Sequence, residues 1–259
     1  MTPKEQGYYM PAEWAEHQAT WLSYPHNEDS WPGKIETIFP SYHIFIKTLA
    51  EAEDVHINVE DQKMQDHVTA ALTAAGTDMK RIFFHQFPTN DAWCRDHGPA
   101  FLLNRQDGSK HGMVNWNHNA WGGKYPYELD TQIPVRIYEH LSQQDKTLQL
   151  FEPGIVMEGG SIDVNGVGDL LTTTSCLLNP NRNPHLNQAQ IEEYLRNYYG
   201  VENIIWLGDG IVGDDTDGHV DDLSRFISED TIITAVEENR WDDNPQSPIP
   251  NPQSPIPNI

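Results

Sequence analysis

VHINVEDQKMQDHVTAALTAAGTDMKRIFFHQF, residues 55–87, is the stretch whose periods decide the fold class. Val55, Ile57 and Val59 alternate with polar residues, as in a strand with one buried face. Gln62 to Ala75 is Ala-rich, and Gly76 is a natural helix stop. Arg81 to Phe87 reads as another strand. The alternation continues outward in both directions. Thr20 to Tyr24 is a short apolar run closed by Pro25, and Ile38, Tyr42, Phe45, Ile46 and Leu49 recur at helical spacing up to about Glu53. Ser161 to Thr174 reads as a hairpin in which Asn165-Gly166 suits a tight primed turn. Asn187 with Gln190 is a capping box for a helix whose apolar face is Ile191, Tyr194, Leu195 and Tyr198 and whose stop is Gly200. Asn203 to Leu207 is a buried-strand candidate, and Arg225 to Ile227 with Thr231 to Val236 form a last strand pair. The expected architecture is one mixed α/β domain over residues 1–241.

The character changes after Trp241. Asn-Pro-Gln-Ser-Pro-Ile-Pro runs from 244 to 250 and repeats from 251 to 257, with proline at six of fourteen positions. Proline fixes φ and has no backbone donor, so residues 242–259 are expected to be a Pro-rich, low-complexity, disordered tail outside the fold. A ligand for proline-recognition modules is the other reading.

The chain has 39 acidic and 16 basic residues, a net charge of -23. Nucleic acid and anionic membranes require basic patches, so neither is an expected partner. A small cation is attracted instead. Met1 to Tyr9 carries no basic segment followed by an apolar run, and no apolar stretch is long enough to span a bilayer. The expected location is cytoplasmic. Two cysteines, Cys94 and Cys176, make neither a disulfide framework nor a zinc-ribbon spacing.

Four segments are too polar for a core: Thr89 to Pro99, Asn115 to Lys124, Met157 to Ser161 and Gly213 to Asp222. Five aspartates and a histidine fall between Asp214 and Asp222, where they repel unless solvated, sharing a metal or facing a cation. A calcium loop fails, because placing Gly218 at its sixth position puts Gly213 at the first and Ser224 at the twelfth. A metal hydrolase with His219 and Asp221 as ligands lacks any supporting motif. That reading stays open here as an alternative. If Val220 packs inward on a strand, His219 and Asp221 share the opposite face. Paired carboxylates suit a planar guanidinium, which Trp93 could cover by cation–π contact. Trp93 could equally be core, and Asp96 a partner of Arg95. Glu158, before Gly159-Gly160, could be a turn residue or the buried partner of His219, with the glycines allowing close backbone approach.

Together these segments resemble the agmatine deiminase family, a branch of the guanidine-modifying enzymes related to bacterial-type peptidyl-arginine deiminases. The resemblance runs from Met10-Pro-Ala-Glu-Trp14 to about Val236. It is carried by Asn90-Asp-x-Trp93-x-Arg95-Asp96-x-Gly98-Pro99, Glu158-Gly-Gly-Ser161, Leu178-Asn-Pro-Asn-Arg182-Asn-Pro184 and Gly213-Asp-Asp-Thr-Asp-Gly-His219-Val-Asp221. It implies a pentein-type α/β propeller of ββαβ modules and cofactor-free hydrolysis of agmatine to N-carbamoylputrescine and ammonia, a step toward putrescine. It implies that Asp96 and Asp221 bind the guanidinium, that His219 is the general acid/base with Glu158 as its partner, and that Trp93 and Trp121 bind substrate.

In that family a thiolate attacks the guanidinium carbon to form a thiouronium intermediate. The histidine protonates the departing ammonia and then activates water. The family's nucleophile sits in a C-terminal segment resembling Gly-Gly-Ile-His-Cys, and this sequence has none. Cys94, two residues from Asp96, would share its face on a strand, but a carboxylate neighbour opposes thiolate formation. Cys176 reads as a small buried hydrophobe. The expectation is an incomplete propeller without its final modules, inactive alone. It would be poorly stable or completed by association, as a homo-oligomer or with a complementing chain. The competing readings are a non-catalytic guanidine- or polyamine-binding protein and the metal hydrolase.

Overall fold

The computed structural model describes residues 1–239 and 241–244. The elements run β1 (Tyr8–Tyr9), β2 (Ala19–Ser23), α1 (Ile35–Leu49), β3 (Asp54–Asn58), α2 (Gln62–Ala74) and β4 (Ile82–His85). Next come α3 (Cys94–His97), β5 (Ala100–Asn104), β6 (His111–Val114), α4 (Ala120–Gly123), α5 (Ile133–Gln144) and β7 (Gln149–Phe151). The chain continues through β8 (Ile162–Val164), β9 (Asp169–Thr173), α6 (Thr174–Leu177), α7 (Gln188–Tyr199), β10 (Asn203–Leu207), β11 (Ser224–Ser228) and β12 (Thr231–Thr234). The mixed α/β expectation holds.

The strands make separate small sheets with a repeated logic. β2, β3 and β4 are all parallel, with α1 and α2 as their crossovers. In the sheet β1-β5-β6-β7, an antiparallel hairpin (β5, β6) is followed by α5 and a strand parallel to β6. The sheet β10-β9-β8 repeats that pattern, with the hairpin β8–β9, then α7, then β10 parallel to β9. β11 and β12 form a third hairpin, a two-stranded sheet of its own.

Local chemistry fixes the ends of the helices. Asp61 accepts from the Met64 N–H at 2.8 Å and opens α2. The capping box on α7 closes in both directions at 3.0 Å. Gly200 ends α7 at φ 68°, and a side chain there would also lie 2.6 Å from the Tyr8 carbonyl. Two cores result. One packs Tyr8, Leu102, Val114, Phe151, Leu170, Leu195 and Tyr199 between the second and third sheets and α7. The other packs Leu22, Val55 and Ile57 under Ile46, Val68 and Leu72 of α1 and α2.

Three local expectations change. The β8–β9 connection is not a two-residue turn but a longer loop, in which Asn165 Oδ1 accepts from the N–H groups of Val167, Gly168 and Asp169. β10 is an edge strand with only Leu207 buried, because β9 pairs with it on one side and nothing described pairs on the other. The β5–β6–α5–β7 unit was not anticipated. Of the proposed tail, Asn244 accepts from the Val212 N–H at 2.7 Å, and residues 245–259 lie outside the described residues. Among the described residues no helix is long and apolar enough to cross a membrane.

Candidate active site

Three segments distant in sequence meet at Gly160. Its N–H donates to Asp96 Oδ1 at 2.9 Å, and its carbonyl accepts from the Asp221 N–H at 3.3 Å. A Cβ on Gly160 would lie 2.4 Å from His219 Nδ1, 2.8 Å from Asp96 Oδ1 and 2.9 Å from Asp221 Oδ2. Only glycine lets the backbone pass there. His219 Nδ1 stands 3.7 Å from Asp96 Oδ1 and 3.9 Å from Asp221 Oδ1. The structure therefore brings Asp96, His219, Asp221 and the Gly159-Gly160 turn together.

The secondary structure that achieves this differs from the expectation. His219 and Asp221 are on the loop before β11, not on a strand, although Val220 is buried between them. The loop is folded by its own acid, since Asp214 accepts from the N–H groups of Thr216, Gly218 and His219. Asp217, at φ 66°, pairs with Lys124 at 2.9 Å and with Arg182. Burial opposes its ionisation, but donors from Asn181, Lys124 and Arg182 outweigh this and bring it down to about 2. Burial instead pushes Asp221 up to about 6, against the pull of Arg95, whose Nε lies 3.6 Å away. Arg95 therefore leans toward Asp221, and toward Glu13, rather than pairing with its neighbour Asp96.

Glu158 is fully buried behind His219. Arg182 Nε donates to its Oε1 at 2.7 Å, while its Oε2 and His219 Nε2 have no partner among the described residues. Burial raises the Glu158 carboxyl despite Arg182. A buried acceptor and a buried ring nitrogen left open behind the carboxylate pair are what a proton-carrying histidine needs. The sequence reading assigned no role to Arg182. Its signal was an arginine among asparagines and prolines, with nothing local to pair it.

Aromatic side chains form the rim. Trp121 is buried and donates from Nε1 to Asp96 Oδ2 at 3.2 Å. It sits at φ 56°, a left-handed conformation that a bulky residue takes only when its surroundings hold it. Trp93 is 39% exposed, stacks on Trp31 at 5.4 Å and meets Trp121 edge-on at 6.5 Å. It is a rim residue, not core. Trp31 is the aromatic that sequence reasoning missed. A cavity of about 300 Å³ lies beside the Asn115–Asn119 stretch, but neither Asp96, His219 nor Asp221 lines it.

Burial disfavours the thiolate form of both cysteines. Cys94 begins the helical turn α3, so it does not share a strand face with Asp96. Ser23 Oγ donates to its sulfur at 3.6 Å, and burial pushes the thiol up to about 12, with Asp130 rather than Asp96 as the charge that adds to this. Cys176 is fully buried, and its sulfur, a Glu158 oxygen and a His219 nitrogen lie within 4.8 Å of one another. Burial raises this thiol well above its ordinary range. Asp221 belongs to no group of three metal-ligating side chains among the described residues, so the His219–Asp221 metal pair gains no third ligand.

The structure thus sets a buried histidine beside two carboxylates, with tryptophans at the rim, on a mixed α/β frame. The chain matches the model of the Porphyromonas-type peptidyl-arginine deiminases over residues 9–249, and it belongs to that family. It is 38% identical over 252 residues to an agmatine deiminase of Pseudomonas syringae pv. tomato, covering 95% of this chain and 64% of that protein. Among solved structures, the C. jejuni agmatine deiminase carrying a cysteine-to-serine change, with substrate bound, superposes with a TM-score of 0.79 at 35% identity, covering 93% of this chain and 68% of that one. The Enterococcus faecalis agmatine deiminase gives 0.80 at 31%, covering 92% and 63%. The chain thus spans about two thirds of the length of the proteins it matches, 64 to 67% of the curated ones.

Proposed function

We propose that this chain carries the substrate-binding and proton-transfer half of an agmatine deiminase site. Asp96 and Asp221 receive the guanidinium, His219 moves the protons with Glu158 behind it, and Trp93 and Trp121 flank the ligand. The observation that carries this reading is the convergence of Asp96, His219 and Asp221 at Gly160, with Asp221 held near 6 by burial. A guanidinium offers parallel N–H donors to two carboxylates and replaces the hydration that burial removed. In the hydrolysis, a thiolate adds to the guanidinium carbon and ammonia leaves with a proton from the histidine. Water then cleaves the thiouronium, giving N-carbamoylputrescine and the free thiolate.

The same proposal holds that the polypeptide of this sequence, assayed alone, binds agmatine without turning it over. Its two thiols support this, since burial raises both and so opposes thiolate formation. We read the two hairpin–helix–strand sheets as ββαβ modules of a propeller and the β11–β12 hairpin as the opening of a further module. The exposed Ile227, Ile233 and Val236 support pairing of that hairpin with additional structure, either from the length that the relatives have and this sequence does not span or from another copy. Calorimetry with agmatine tests the binding half: saturable heat, lost in Asp96→Asn, is expected, and no heat at millimolar ligand refutes it. Ammonia release that His219→Ala abolishes would refute the inactive half.

A further inference from the structure

We propose that His56, His85 and His140 form a binding site for one borderline transition-metal dication of the zinc type, on the face of the first sheet opposite α1 and α2. The three residues come from three elements, β3, β4 and α5. Val55 and Ile57 turn into the core, so His56 points to the other face of β3. There it lies in register between Trp21 of β2 and Phe83 of β4, and His85 follows two residues later on the same face. Helix α5 crosses this face through Ile133 and Ile137, which pack with Trp21 and Phe87, and so sets His140 against His85 with ring centroids 4.6 Å apart.

One ring nitrogen from each histidine lies within 4.8 Å of the other two. Zinc–nitrogen bonds of about 2.0–2.1 Å place tetrahedral ligand atoms about 3.4 Å apart. Rotation of the half-buried His140 and His56 rings spans the difference. His56 Nδ1 and His85 Nε2 already meet at 2.8 Å, which requires one ring to donate and the other to accept. Among the described residues neither ring has another hydrogen-bond partner, and His140 has none. Among the described residues no carboxylate pairs with any of the three, so only the His56–His85 hydrogen bond has to give way to a metal. Burial keeps His56 and His85 neutral at ordinary pH, as ligation requires, with values of about 4 and about 3. Three imidazoles without carboxylate or thiolate select zinc, cobalt, nickel or copper over magnesium or calcium. The net charge of -23 raises the local concentration of any such cation.

The test is titration of the chelator-stripped full chain with Co²⁺ followed by visible absorption, then displacement by Zn²⁺. The expected result is one equivalent bound with a four-coordinate spectrum and no thiolate charge-transfer band. Affinity should fall by about tenfold or more in His140→Gln. His140 is half-buried, and an unchanged melting temperature without metal confirms that this variant folds. His56→Gln is the second variant. Absence of saturable binding, an affinity in both variants unchanged from that of the unsubstituted chain, or a thiolate band placing the ion at Cys176 would each overturn the proposal.

Discussion

Asp214 and Asp217 share a loop with Asp221 and Asp222, yet the two pairs have opposite electrostatic fates. The first pair is saturated. Asp214 collects backbone donors that fold the loop, and Asp217 collects Lys124, Arg182 and Asn181, so both ionise more readily than usual. The second pair is under-served. Burial raises both Asp221 and Asp222, against the pull of Arg95, at 3.6 Å from Asp221, and of His219. Sequence density alone makes the run look uniform. Its partners divide it into carboxylates that build the loop and carboxylates that burial leaves short of donors, of which Asp221 is the proposed ligand-binding one.

The largest effect is expected at the residue that ties the two halves together. Arg182 bonds Glu158 behind His219 and Asp217 on the loop, and its side chain is fully enclosed. Arg182→Met leaves Glu158 buried without its countercharge and should cost about 3–5 kcal/mol by urea denaturation. A loss no larger than a surface substitution, about 0.5 kcal/mol, would break the division, because Glu158 would then not depend on that pair. Gly160→Ala is next. Its methyl meets His219 at 2.4 Å and both aspartates below 3 Å, so overpacking of about 1–3 kcal/mol is expected together with loss of agmatine binding. Unchanged affinity would show that the ligand sits elsewhere.

The parts of this site that the sequence revealed were those with local density: acids around His219, a Gly-Gly pair after Glu158, and tryptophans beside Asp96. The α/β class was readable for a similar reason, since the runs of β3, α2 and β4 each carry a clean period. What stayed hidden depends on long-range placement. Arg182 and Glu158 are 24 residues apart and pair only because the loop after α6 folds back. The face shared by His219 and Asp221 comes from a loop held by Asp214, a geometry without periodicity. Cys94 was read on a strand because the spacing to Asp96 suited one, whereas the Trp93 carbonyl takes the Asp96 N–H and starts a helical turn. The left-handed Trp121 is set by tertiary contacts and has no glycine to announce it.

Substitution of one carboxylate from each half sharpens the contrast. Asp221→Asn should weaken agmatine by about tenfold or more, the worth of a charge-assisted bond, while leaving stability unchanged or slightly higher. Asp217→Asn should do the reverse, lowering the urea midpoint with a smaller effect on binding. If both variants lose stability equally, the two carboxylates are one structural cluster.

The smallest expected effect is in pH dependence, and its sign separates the halves. Asp221 has a folded value of about 6 against the ordinary 3.8, so the fold holds its proton more tightly than the unfolded chain. Its contribution to stability therefore falls as pH rises from 3.8 to 6 and is flat above. Asp217, at about 2, behaves oppositely: its contribution is fully present above 3.8 and is lost as pH drops toward 2. Urea midpoints measured across this range should show the first slope disappear in Asp221→Asn and the second in Asp217→Asn. Agmatine stays cationic throughout, so its affinity should drop as pH falls through about 6, where Asp221 takes up the proton that the ligand must displace. An affinity that is level from neutral pH down to about 4.5, well below that value, would mean that Asp221 is already ionised in the free protein. The difference between the two halves of the loop would then be one of position and not of charge.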